Sequence, residues 1–164
     1  MNNKLKLKLV ISGSLAALFF ALYTQKIWGL VPCELCLWQR FVYAGVIFFA
    51  IFALIPGYFG AKQSPGLFGF SVKVLLAAQV ALAFYHTGIE LKWWEGFSSC
   101  SSSIGGGSLD EIRAKLMASP LVRCDEAQWK FIGLSMAAWN VVYAFLLLVI
   151  SFWPVRRTEP QVGV

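Results

Sequence analysis

Residues 41–59 form an apolar run without a single charge, and three further runs of similar length lie at about 9–30, 67–91 and 131–153. A helix needs about 20 predominantly apolar residues to cross the hydrocarbon core of a bilayer. Inside lipid every backbone N–H and C=O must be paired within the protein, so a spanning segment is a helix or belongs to a closed barrel. Four runs of this length select an all-α membrane protein: a four-transmembrane-helix bundle forming a single domain over residues 1–164. Composition agrees, with 59% hydrophobic residues, 13% charged residues and a mean hydropathy of +0.68; an average soluble domain is about 25% charged. The first run weakens at Gln25 and Lys26, beside Trp28, where an interface is expected. The third contains Gln79 and, near one end, Lys73, which can snorkel to the headgroups. A basic stretch before an apolar run is also the outline of a cleaved signal. The apolar character here outlasts signal-peptide length and no A-x-A site follows, so the run is read as a span.

Four spans put both termini on one side. Lys4, Lys6 and Lys8 precede the first span, Lys62 lies between the second and third, and Arg156 and Arg157 follow the fourth. The positive-inside rule therefore predicts cytoplasmic termini, with residues 31–39 and 92–130 forming two outward loops. Arg113, Lys115 and Arg123 in the second loop make this a bias and not a clean split. The net charge of +6 is spread along the chain, without a patch that would suit nucleic acid. In the second outward loop, "SSCSSSIGGGS" is small and flexible. Ser108 and Glu111 then fit a capping box, and Leu109, Ile112 and Leu116 recur on one helical face up to Pro120. A short amphipathic helix is expected there, lying on the membrane surface or serving as a solvated linker.

All four cysteines, Cys33, Cys36, Cys100 and Cys124, fall in the outward loops. Structural zinc usually draws on paired C-x-x-C units or on C-x-x-C with histidines; this chain has one C-x-x-C and one histidine, His86, so no metal site is expected. A Cys100–Cys124 bridge would close a long loop, worth about 3 kcal/mol in the chain-entropy model. A Cys33–Cys36 bridge would close almost none, and this spacing serves disulfide exchange better than stapling. If the second helix begins near Cys36, Arg40 sits one turn further on the same face. There its guanidinium would stabilise a negative sulfur or bind an anionic or carbonyl oxygen; equally, it would serve as an interfacial anchor. His86, at the outer end of the third span, lies at a similar depth.

"PCELCLWQR" over 32–40, "YHT" at the end of the third span, Cys100 in its small-residue loop and "CDEAQWKFIGLSMAAW" over 124–139 together resemble the bacterial disulfide bond formation protein B (DsbB) family, across nearly the whole chain. The resemblance implies a thiol:quinone oxidoreductase of the bacterial inner membrane, its cysteine loops periplasmic. Such an enzyme reoxidises a periplasmic thioredoxin-like, DsbA-like dithiol oxidase and passes the electrons to ubiquinone or menaquinone. It implies that Cys100 takes the mixed disulfide with the partner, that Cys124 is its companion and bridges to Cys33 during exchange, and that Cys36 faces the quinone. Arg40 and His86 would flank that quinone, and the resting bridges would be Cys33–Cys36 and Cys100–Cys124. Gln39 departs from the family pattern, where an acidic residue is expected. The absence of a G-x-G-x-x-G stretch argues against a nicotinamide or flavin acceptor. The competing reading is a non-catalytic membrane scaffold held by two structural disulfides.

Overall fold

A computed structural model describes residues 2–58, 66–96 and 123–154. Cys100, Lys62, Arg156, Arg157 and the expected amphipathic helix after Ser108 lie outside these residues. Among the described residues there are four helices, matching the four expected spans: α1 (Asn3–Ile27), α2 (Glu34–Tyr58), α3 (Gly66–Glu90) and α4 (Met136–Phe152). A small antiparallel hairpin, β1 (Lys130–Phe131) and β2 (Leu134–Ser135), precedes α4. The first three helices are long and apolar enough to cross a membrane; α4 is apolar but shorter, at 17 residues, or about 26 Å.

Helix limits differ from the apolar runs where polar residues remain helical. α1 starts at Asn3, whose neighbour Asn2 caps it by accepting the Lys4 amide at 3.1 Å; the three lysines therefore lie on helix and not ahead of it. Its end is set by Gly29, in the left-handed region at φ 65°, which lets the Leu30 amide return to the Thr24 carbonyl. α2 begins at Glu34, so Cys36 and Arg40 occupy successive turns of one helix, the arrangement the sequence made conditional on an early start. α4 begins at Met136 and not at 131, because residues 130–135 turn back in the hairpin. Ile132 and Gly133 both have positive φ there, 51° and 77°, which is the type I′ pattern. Ser135 then caps α4 by accepting the Ala138 amide at 3.1 Å.

Neighbours in sequence pack against each other, and α4 closes mainly on α3; α1 and α4 meet along much less of their length. Val10, Tyr43, Val46, Val72, Leu76 and Leu147 form the core where the four helices meet. The surface inverts the soluble pattern. Ser14, Thr24, Gln79 and Ser151 are buried, whereas Phe41 and Leu67 are 72% and 75% exposed. An apolar exterior over buried polar groups is stable where the solvent is lipid.

The end of α3 is built around one close approach. Lys92 takes a left-handed conformation, with bonds from the Trp93 amide to Gly88 O (2.9 Å) and from the Lys92 amide to Ile89 O (3.0 Å), the pairing of a Schellman stop. The chain then folds Trp94 back over α3, where its indole donates to Tyr85 O and stacks on the Tyr85 ring. A Cβ on Gly88 would lie 2.0 Å from that indole. Gly88→Ala should therefore destabilise the protein by about 1–3 kcal/mol, read by thermal unfolding in detergent. Trp94→Ala in the same background should recover part of the loss; equal stability of Gly88→Ala and the parent would show that the indole does not seat there.

Candidate functional site

Cys33 immediately precedes α2, and its carbonyl accepts the first helical bond, from Leu37 N at 3.1 Å. Its sulfur accepts the Cys36 amide at 3.3 Å, taking the part that Ser, Thr or Asp oxygens play at other helix starts. C-x-x-C spacing at a helix start thus sets the two sulfurs together: Cys33 Sγ donates to Cys36 Sγ at 2.9 Å. Among the described residues Cys33 and Cys36 carry free thiols, and their contact is thiol to thiol. Cys33 and Cys124 share a buried cluster with Leu35 and Ile89. The Cys33 thiol is held above its ordinary range, first by its hydrogen bond to Cys124, then by that to Cys36 and by burial.

His86 reaches this centre from α3. Its Nε2 lies 3.7 Å from Cys33 Sγ and 3.9 Å from Glu90 Oε1, one turn further along α3. On the other side of the ring a chain of polar side chains runs inward. Gln39 Nε2 lies 3.2 Å from His86 Nδ1, Asn140 Nδ2 donates to Gln39 Oε1 at 2.7 Å, and Tyr43 OH donates to Asn140 Oδ1 at 2.6 Å. Since the Gln39 amide nitrogen can only donate, Nδ1 accepts and the neutral imidazole carries its proton on Nε2. The position where the sequence departs from its family pattern therefore fixes the tautomer of the only histidine. In the sequence Gln39 stood out only as a departure from the family pattern and Asn140 not at all; only the meeting of α2, α3 and α4 joins them.

Arg40 points to α1, donating to Gln25 Oε1 at 2.6 Å and to Ala21 O at 3.2 Å. Gln25 is thus one half of a clamp between α1 and α2. Arg40 also borders a cavity of about 650 Å³ at the seam where α1 and α4 part, along with Cys36, Gln39 and His86. Its deeper walls, among them Ala17, Phe20, Val142 and Leu146, are apolar. Cys33, Cys36, Arg40, His86 and Cys124 thus come together at one end of the bundle; Cys100, the remaining expected site residue, lies outside the described residues.

Cys124 is held in place by charge. Asp125 takes a forked pair of bonds from Arg123, at 2.9 and 2.7 Å, and pairs with Lys92 from the end of α3. Gln128 Nε2 donates to Val31 O at 2.9 Å, tying the same segment to the connection between α1 and α2. The negative charge of Asp125 beside Cys124 is therefore compensated by two cations, and Cys124 itself is 1% exposed.

A multi-helix membrane bundle that brings a buried and a half-buried cysteine into contact beside a third cysteine is, as a class, a membrane thiol-redox protein. The comparison with known proteins gives the particular family: residues 3–154 match the family model "Disulfide bond formation protein DsbB", and the chain belongs to that family. Similar curated proteins are the disulfide bond formation protein B of Acinetobacter baumannii, 25% identical over 98% of this chain and 95% of the relative. Those of Xanthomonas axonopodis pv. citri and Marinobacter nauticus are each 30% identical, over 82% and 93% of this chain and 78% and 90% of theirs. The chain is thus a multi-pass membrane protein of disulfide-bond formation.

The tether on Cys124 has a defined pH dependence. Arg123 and Lys92 hold the Asp125 carboxyl well below its ordinary 3.8. A depressed carboxyl stabilises the folded segment fully above the unfolded value, and that contribution is lost as pH falls from there through the lowered folded value. Hydrogen exchange of residues 123–129, corrected for intrinsic rates, should show constant protection from neutrality to about pH 4 and loss below it. Asp125→Asn should lower protection throughout and speed Cys124 alkylation in the reduced protein. Unchanged alkylation would mean that packing alone holds Cys124.

Proposed function

We propose that this chain is a thiol:quinone oxidoreductase of the bacterial inner membrane, with both termini cytoplasmic and the cysteine loops periplasmic. It reoxidises a periplasmic thioredoxin-like, DsbA-like dithiol oxidase and delivers the electrons through two cysteine pairs to ubiquinone or menaquinone. The observation that carries this reading is the position of one sulfur: Cys33 Sγ contacts Cys36 Sγ at 2.9 Å and shares a buried cluster with Cys124. Two structural staples would need no such meeting; an exchange relay needs a sulfur that can pair with either neighbour.

On this reading Cys100 is attacked by the partner's thiolate, its bond to Cys124 breaks, and the partner is held as a mixed disulfide. The partner's second thiol then releases the partner oxidised, leaving Cys100 and Cys124 reduced. These two thiols pass two electrons and two protons to the Cys33–Cys36 disulfide through a transient Cys33–Cys124 bridge, closing the Cys100–Cys124 bond again. Burial of Cys124 supports capture at Cys100, because exchange requires access to the attacked sulfur. The cavity beside Cys36 suits a molecule with a polar head and an apolar tail: Cys36, Gln39, Arg40 and His86 line it together with apolar side chains such as Ala17, Phe20, Val142 and Leu146. Arg40 and His86 would hold the head, and Arg40, already fixed by Gln25 and Ala21, would do so with little further ordering. A bound quinone supplies the final two-electron, two-proton acceptor. The single domain spanning residues 1–164 is part of the same proposal.

Two tests address the two ends of the relay. Arg40→Met should lower apparent quinone affinity about 10-fold or more, the scale of one hydrogen bond to a charged group. Arg40→Lys, which keeps the charge without the planar fork, should be affected less. Unchanged quinone kinetics in Arg40→Met would leave Arg40 as a clamp on α1 only. At the other end, Cys124→Ser should accumulate a mixed disulfide between Cys100 and a DsbA-like protein on non-reducing gels. Trapping at Cys124 in Cys100→Ser, and not at Cys100, would reverse the order of the relay.

A further inference from the structure

Cys33 Sγ, Cys36 Sγ and His86 Nε2 all lie within 4.8 Å of one another. The sequence concealed this set, because one member comes from another helix, more than fifty residues along the chain. Two thiols and one imidazole are the ligand types zinc selects. With Zn–S about 2.3 Å and Zn–N about 2.05 Å, a tetrahedral ion sets two sulfurs about 3.8 Å apart and a sulfur and a nitrogen about 3.6 Å apart. The Cys33–His86 distance is already 3.7 Å, and the thiol pair, at 2.9 Å, has to open by less than an ångström. Cys33 and His86 are buried and Cys36 borders the cavity, which gives an ion a way in.

The polar chain behind His86 is able to follow. An imidazole that binds metal through Nε2 carries its proton on Nδ1, the reverse of the present arrangement. Gln39 and Asn140 can each turn their amide by half a revolution. Nδ1–H then donates to Gln39 Oε1, Gln39 Nε2 to Asn140 Oδ1, and Asn140 Nδ2 to the Tyr43 hydroxyl. Every bond survives with donor and acceptor exchanged, because amides and a hydroxyl offer both.

We propose that Cys33, Cys36 and His86 form, in the reduced protein, a binding site for a thiophilic divalent cation of the zinc type, with the Gln39–Asn140–Tyr43 chain reversing to support the ligating imidazole. Binding replaces the protons of the two thiols with the ion and moves no electrons, so ion and Cys33–Cys36 disulfide exclude one another. The ion then holds the centre in its reduced form until it is removed. Binding follows from the geometry alone; arrest of a redox cycle rests on the function proposed above.

The test uses the full chain, reduced, in detergent without quinone, and Zn2+ alone as probe. X-ray absorption at the zinc edge should give a mixed shell of one imidazole nitrogen with two or three sulfurs, the third being Cys124. A shell of sulfur only, or of oxygen and nitrogen only, would overturn the site in the unaltered protein. Competition with a chromophoric chelator should show at least ~10-fold weaker binding in His86→Ala. It should also show about 10-fold tighter binding in Gln39→Glu, whose carboxylate accepts from Nδ1–H in any rotamer, the scale that such partners bring to other zinc sites. Cys100→Ser should bind as the parent does, and the oxidised protein should not bind. Equal affinity in the parent, His86→Ala and Gln39→Glu would mean a bare dithiol holds the ion, and loss of binding in Cys100→Ser would move the site to the outward loop; either result ends the proposal.

Discussion

The site depends on what surrounds one sulfur atom. Cys33 Sγ caps α2 through the Cys36 amide, touches the Cys36 sulfur, faces His86 Nε2 and packs with Cys124. Together these contacts join three elements: the start of α2, the end of α3 and the segment before the hairpin. Displacing this atom would separate the thiols from one another and from the imidazole together. The cap and the chemistry are one arrangement, since the helix start that orients Cys33 also sets Cys36 one turn below Arg40.

The supports of that atom are of two kinds, suited to two environments. Within the bundle they are neutral: an amide–amide–hydroxyl chain from Gln39 through Asn140 to Tyr43 fixes His86 without introducing a charge. Outside the helices they are ionic, with Asp125 between Arg123 and Lys92. Both cations are about half or more exposed, so this tether is weak and salt-sensitive. A weak tether would suit the proposed relay, in which Cys124 changes partners.

Much of this was legible in the sequence, for physical reasons that can be named. Apolar runs report burial in lipid directly, so the four helices among the described residues followed from hydropathy. Their limits did not, because lysines near an interface can remain helical, as Lys4, Lys6 and Lys8 do at the start of α1. The C-x-x-C and Arg40 spacing was readable because all three residues sit on or next to one helix. Contacts that need two or three helices were not: Gln25 with Arg40, Gln39 with His86, and Asn140 with Gln39. The hairpin before α4 was hidden for a different reason. Its turn places a β-branched residue, Ile132, at positive φ, where turn rules expect Asn, Asp or Gly.

The central claim is that electrons cross from a soluble dithiol protein to a membrane quinone through these sulfurs. The most direct measurement mixes the purified chain with a reduced DsbA-like protein and a ubiquinone analogue, and follows quinone absorbance and free thiols together. The account predicts many turnovers per chain, with one quinone reduced for every partner disulfide formed, and none in Cys36→Ser even though the partner still forms its mixed disulfide. Partner oxidation that proceeds without quinone loss, or quinone loss that persists in Cys36→Ser, would contradict it.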